Sequence, residues 1–274
     1  MEKEKYIISW NLAGYAWKAT KEAWGDRLKR ACKCIKTEAP DAWLIGLSEV
    51  IPGKDNKYLD ILRGEFQGYV MVLPKAYRKD FRSAISVLLI NEEGYKKHNT
   101  RILDGLGDSL LYEYVDIDTD YGYYRVMNTH LPHTCNENKQ ERYQQSRKDL
   151  RKKFEEAILS ECEAYRIDPD VQFILLADAN ASPRSTFIYE LAGEFNNPML
   201  FNATKRTDRD LPTWINPNYG ENHIDYIFYG MGSMFGEVVN IYFNEIISSP
   251  IDNKISDHAI IKGKIRTNIT NWSA

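Results

Sequence analysis

The chain has 274 residues, of which 43% are hydrophobic and 27% charged, with a formal net charge of −3. A balance this near to neutral argues against a protein that coats nucleic acid through an overall basic field. Any polyanion must be met by a local patch or a bound cation. No stretch approaches the roughly 20 apolar residues of a membrane-crossing helix, and the charged start Met1-Glu2-Lys3-Glu4-Lys5 lacks a leader pattern, so a cytoplasmic protein is expected. Cys32, Cys34, Cys135 and Cys162 are too sparse for a disulfide scaffold. Cys32 and Cys34 point to different faces of a helical pattern, so free thiols are expected.

In chain order, short apolar runs alternate with amphipathic helices. Tyr6–Trp10 reads as a strand. Residues 23–38 place Leu28, Ala31, Cys32 and Ile35 at helical spacing. Pro40 stops that helix before a strand over Ala42–Ser48. A short helix at Tyr58–Leu62 precedes strands at Tyr69–Leu73 and Ala84–Ile90. Strands at Leu110–Asp116 and Tyr123–Thr129 flank a turn at 118–122. The longest helix runs from about Glu137 to Tyr165, with Leu150, Phe154, Ala157 and Ile158 on its apolar stripe. Gln172–Ala177 is almost wholly apolar and suits a buried central strand. The last strands are His223–Tyr229, Val238–Asn244 and Ala259–Ile265. Without a repeat or linker, residues 1–274 form one domain of the α/β class, two sheets packed face to face with helices outside.

The informative residues stand where these strands stop. Strand ends carry Asn11, then Ser48-Glu49, then Asn128-Thr129-His130, then Asp178-Ala179-Asn180. A later strand opens His223-Ile224-Asp225, and the last is introduced by Ser256-Asp257-His258. Each residue alone has a plain structural use: Asn11 as a turn former, Asp178 as a helix cap, Asp257-His258 as a turn pair. Together, buried carboxylates, amides and imidazoles need partners, and gathering them around one cation satisfies that need. Their oxygen atoms are hard ligands, suited to Mg²⁺ or Mn²⁺ more than to zinc. An Asp and an Asn two residues apart can orient a water against phosphorus, and a His fixed by a carboxylate can stabilise the charge that develops.

In their order, Trp10-Asn11-Leu12, Leu47-Ser48-Glu49-Val50, Asn128-Thr129-His130-Leu131, Leu176-Ala177-Asp178-Ala179-Asn180, His223-Ile224-Asp225-Tyr226-Ile227 and Ser256-Asp257-His258 resemble the motif series of the endonuclease/exonuclease/phosphatase (DNase I-like) superfamily. That family includes nucleases, deadenylases, tyrosyl-DNA phosphodiesterases, sphingomyelinases and inositol-polyphosphate 5-phosphatases. The resemblance implies a four-layer α/β/β/α sandwich of two mixed sheets. It also implies a divalent-metal-dependent phosphodiester hydrolase, read as a DNase I-like nuclease using in-line water attack. Glu49 would be the principal metal ligand, with Asn11 beside it and Asp257 at the metal side. Asp178 would activate the water and Asn180 would hold it. Asp225 would orient His258, and His130 would be a second phosphate-facing imidazole. The chain departs from the family at Ser48, where Gln is usual, and at Ala177 and Ala179, where Gly and Phe are usual.

Less specific features sit beside these. Tyr121, Tyr123 and Tyr124 either stack a base or pack on a strand face. Trp214 lies where the family contacts substrate, and Arg82, with Arg78 and Lys79, either meets a phosphate backbone or forms a solvated turn. Arg142, Arg147, Lys148, Arg151, Lys152 and Lys153 alternate with acids and read as a solvated helix face. His133 reads as a loop residue. The expected partner is nucleic acid or another phosphodiester, bound by a monomer. The alternatives are a phosphatase or phosphodiesterase acting on a lipid headgroup, inositol phosphate or small nucleotide, and a catalytically silent binding module.

Overall fold

The computed structural model describes residues 3–14, 23–75, 77, 84–102, 113–120, 122–133, 141–166, 171–192, 201–202, 212–216, 220–230, 240–247 and 255–267. Arg78, Lys79, Arg82, Tyr121 and Cys135 lie outside them. The strands are β1 (Lys3–Asn11), β2 (Ala42–Val50), β3 (Tyr69–Val72), β4 (Ile85–Asn91), β5 (Tyr95–Ile102), β6 (Glu113–Thr119), β7 (Gly122–His130), β8 (Val171–Asp178), β9 (Phe201–Asn202), β10 (Trp214–Asn216), β11 (Gly220–Asn222), β12 (Asp225–Gly230), β13 (Asn240–Ile247) and β14 (Ile260–Thr267). The helices are α1 (Trp24–Glu38), α2 (Lys57–Glu65), α3 (Glu141–Arg166) and α4 (Thr186–Ala192).

Two six-stranded sheets form, in the orders β13-β14-β1-β2-β4-β3 and β5-β6-β7-β8-β12-β9. Each contains one parallel pair, β1 with β2 and β7 with β8, and antiparallel pairs elsewhere. A parallel pair needs a crossover, and α1 and α3 supply it. Side chains alternate across each strand, so every central strand feeds two cores. Ile7, Leu44, Leu88 and Ile90 of the first sheet meet Val126, Ile174, Leu176 and Ile227 of the second. On the outer face of the first sheet Ile8, Ile45 and Leu47 pack on Leu28, Ala31 and Ile35 of α1. On the outer face of the second Phe173, Leu175 and Tyr226 pack on Phe154 and Ile158 of α3. Burying one such side chain contributes about 1.5–3 kcal/mol, so the three cores hold the four-layer sandwich together.

Gly46 lies where the two sheets approach closely. A Cβ there would lie 2.5 Å from Leu176 Cδ1 and 2.9 Å from Asn128 Oδ1. The Asn128 amide uses this proximity, donating to Leu47 O at 3.2 Å and Val87 O at 3.0 Å. It bridges the sheets where a register shift between Leu47 and Val50 interrupts the β2–β4 ladder.

Several elements differ from the sequence reading. β5 was not expected because Tyr-Lys-Lys-His-Asn-Thr-Arg-Ile has no apolar alternation; among the described residues it is an edge strand that pairs with β6 alone. The short elements α4, β9, β10 and β11 also carry too few residues to show a period. Cys32, Cys34 and Cys162 are free, and burial pushes the Cys32 thiol up to about 12.

Candidate active site

The site is the polar continuation of the interlayer core. At the carboxyl ends of the parallel strands, where ligands of open α/β sheets bind, the inward positions change from apolar to polar. His130 of β7 and Asp225 of β12 both stand opposite Asp178 of β8 in register, so three candidate side chains form one row on one face. Across the cleft Asn11 ends β1, paired with Ser48 of β2. Simple alternation would turn Glu49 toward α1. The register shift and a left-handed backbone, φ 54°, carry it into the cleft instead. Asn180 has φ 46°. Non-glycine residues seldom adopt this conformation, and its cost is characteristic of functional sites.

The buried groups interlock. Asn11 Nδ2 donates to Asp178 Oδ2 at 2.7 Å, while Asn11 Oδ1 accepts from the Ala13 N–H at 2.7 Å. The Asn180 N–H donates to Asp178 Oδ1 at 3.1 Å, and Asn180 Nδ2 donates to Leu131 O at 2.8 Å. Asp225 Oδ2 lies 3.0 Å from His258 Nδ1. Thr213 Oγ1 accepts the N–H groups of Ile224 and Asp225, each at 2.9 Å, and so fixes the start of β12. His130 spans the cleft, with Nε2 3.5 Å from Asp178 Oδ2 and Nδ1 3.7 Å from Glu49 Oε1. Trp214 Nε1 donates to Asp257 Oδ2 at 3.0 Å.

The electrostatics follow from this packing. Burial works against the His258 imidazolium, yet the Asp225 and Asp178 carboxylates outweigh it and hold His258 up at about 10. Burial pushes the Asp225 carboxyl up to about 6, with Asp178 adding to the rise and His258 opposing it. At neutral pH the pair is therefore imidazolium and carboxylate. Its Nδ1–H is held by Asp225, leaving Nε2 on the cleft side, 3.9 Å from Asp257 Oδ1.

Ligand atoms of Asp178, Asp225 and His258 also lie within 4.8 Å of one another, a spacing that could hold a metal ion. His258 Nδ1 is already engaged by Asp225, and Glu49 and Asp257 offer carboxylate oxygens to a cation in the same cavity. Asp257 Oδ1 is buried and has no hydrogen-bond partner, as a hard ligand awaiting a hard cation would be. The residues present fit Mg²⁺ or Mn²⁺.

Glu49, Asn11, His130, Asp178, Asn180, Trp214, Asp257 and His258 all line one cavity of about 450 Å³, with Asp225 directly behind His258. Tyr124 is a correction: it is 1% exposed and packs on Trp43 between the sheets, ring centroids 4.6 Å apart, so it cannot touch a substrate in the cleft. The solvated-face reading of α3 also needs correction. The pairs Arg151–Glu155 and Lys152–Glu156 exist, at 2.7 and 3.6 Å. Yet Arg151 is only 7% exposed and donates to Pro132 O, Asn180 O and Ala179 O at 2.9, 3.2 and 2.9 Å. Arg27 of α1 does the same for the other sheet, donating to Leu12 O, Ala13 O and Ile255 O. Neither brace was found from sequence, because an arginine on an amphipathic helix reads as surface. Thr213 was missed beside Trp214, and His133 lines the cavity.

No family model matches the chain, and no curated protein matches it. Solved structures do. D. rerio TDP2 complexed with single strand DNA product superposes with a TM-score of 0.64 at 16% identity, covering 96% of this chain and 99% of that one. An endonuclease/exonuclease/phosphatase from Bacteroides vulgatus gives 0.64 at 16% identity, covering 97% and 100%. The human Nocturnin catalytic domain with bound sulfate anion gives 0.64 at 15% identity, covering 96% and 94%. The architecture, the strand order and these likenesses together place the chain in the endonuclease/exonuclease/phosphatase, or DNase I-like, fold.

Proposed function

We propose that the chain hydrolyses phosphodiesters with a divalent cation, by in-line attack of water, as a DNase I-like nuclease. The observation that carries this reading is the interlocked set Asn11–Asp178 and Asp225–His258 lining one cleft with Glu49 and Asp257. Asp178, its oxygens fixed by Asn11 and the Asn180 N–H, takes the proton from the attacking water. His258, held by Asp225, directs Nε2–H at a phosphoryl oxygen. His130, between Asp178 and Glu49, is a second donor on the same phosphate. Glu49 and Asp257, with Asn11 adjoining, would hold Mg²⁺ or Mn²⁺, which supplies Lewis-acid polarisation of the phosphoryl group. Among the fold's relatives, the TDP2 complex with single strand DNA product supports a nucleic-acid substrate.

A panel of supercoiled plasmid, single-stranded DNA, RNA and bis-p-nitrophenyl phosphate, each with Mg²⁺, tests the reading. Cleavage of at least one nucleic acid is expected. Hydrolysis of the small diester alone would replace the nuclease with a small-phosphoester hydrolase. Failure on all four, with metal bound, would leave a binding module.

A further inference from the structure

The cleft has a second wall whose chemistry is opposite to that of the catalytic end. Leu131 and Pro132 floor it, and α3 adds Arg147 and Leu150. These two are three residues apart and share one face of the helix. Leu150 belongs to the apolar stripe of α3, yet it is 44% exposed. Most apolar side chains on such a stripe are covered by the core. This one lines the cavity, where a bound molecule would remove it from water.

Arg147 is the one lysine or arginine among the described residues lining the cavity, and it donates to His133 O at 3.5 Å. Glu49, Asp178 and Asp257, at the ends of β2 and β8 and before β14, concentrate negative charge in the same cavity. An anion that is not neutralised there by a cation is repelled from these carboxylates and attracted to the guanidinium.

We propose that this wall is a nucleotide subsite, in which the nucleoside lies against Leu150 and a second phosphate, not the one being cleaved, is held by Arg147. The inference rests on the reading that the scissile phosphate occupies the acidic end. A guanidinium is suited to phosphate by its planar pair of donors. A cavity of about 450 Å³ has room for one nucleotide unit.

The wall is also set in place before anything binds. Arg151 follows Arg147 by one helical turn and is tied to Pro132 O and Asn180 O. Those carbonyls belong to the two loops that follow His130 and Asp178. The distance between the two anion positions is thus fixed by backbone, which lowers the ordering cost of binding a ligand with two matching charges.

The test is isothermal titration calorimetry of the full chain in Mg²⁺ with thymidine 3′,5′-bisphosphate and thymidine 5′-monophosphate. The wild type should prefer the bisphosphate by about tenfold or more. Arg147→Gln should reduce that preference to within about twofold, and Leu150→Ser should weaken both nucleotides. Lys148→Gln removes the same charge from an exposed neighbouring position and should keep the preference. Equal affinity for the two nucleotides in the wild type, no binding of either, or an equal effect of the Arg147 and Lys148 variants would overturn the proposal. Binding is read without turnover, so loss of the hydrolase reading and loss of this subsite are separate results.

Discussion

The two sheets build their halves of the cleft with the same backbone device and different chemistry. In each, a parallel strand pair is joined through a helix, and the loop after the first strand is tied to the second. Leu12 N bonds Ser48 O at 3.0 Å in one sheet, and Leu131 N bonds Asp178 O at 2.9 Å in the other. In each, a buried arginine on the crossover helix gathers loop carbonyls, Arg27 on α1 and Arg151 on α3. The side chains then diverge. The second sheet presents His130, Asp178 and Asp225 in one row, already joined to partners. The first presents Glu49, on a strained backbone, and the segment before β14 adds Asp257, whose Oδ1 accepts no hydrogen bond. On the proposed reading, the residues that handle protons are preorganised by the protein alone, whereas the metal side would be completed by a cation.

The largest expected effect breaks the preorganised half. Asp178→Asn should lower turnover about 10³-fold while the far-ultraviolet circular dichroism stays unchanged, because it removes the base and leaves one oxygen to accept from both Asn11 Nδ2 and the Asn180 N–H. Next, Glu49→Gln should leave the fold intact and raise the Mg²⁺ concentration for half-maximal rate about tenfold, read by metal titration.

The two braces sharpen the contrast. Arg27→Met and Arg151→Met each leave buried carbonyls unpaired, and each should lower stability by about 1–3 kcal/mol in urea unfolding. Arg151→Met should reduce kcat, since it frees the loop of Ala179 and Asn180. Arg27→Met should act more on the metal requirement.

A further test is a pH dependence in EDTA. His258 is held at about 10 in the folded chain against an ordinary value of 6.5. Its contribution is fully present below about pH 6.5 and is lost as pH rises through about 10. The melting temperature of the wild type should therefore fall more between pH 7 and pH 10 than that of His258→Gln. Parallel curves would remove the His258–Asp225 ion pair from the account.

Much of this was legible in the sequence for a physical reason. Strands such as Gln172–Ala177 announce themselves by unbroken apolar runs, and polar residues that interrupt them at one end stand out. Asn11, Glu49, His130, Asp178, Asn180, Asp257 and His258 converge for that reason. What was hidden depends on partners far along the chain. Tyr124 looks like an exposed aromatic until Trp43 of the other sheet covers it. Arg151 looks solvated until the loops at Pro132 and Ala179 fold over it. Leu150 fits the helical stripe but faces the cleft, which no periodicity distinguishes from the core.

The most direct test of the central claim is the rate of bis-p-nitrophenyl phosphate hydrolysis by the wild type and by Asp178→Asn, each with Mg²⁺ and with EDTA. The account predicts turnover only in the wild type with Mg²⁺. Hydrolysis that persists in EDTA, or an Asp178→Asn variant as active as the wild type, would contradict it.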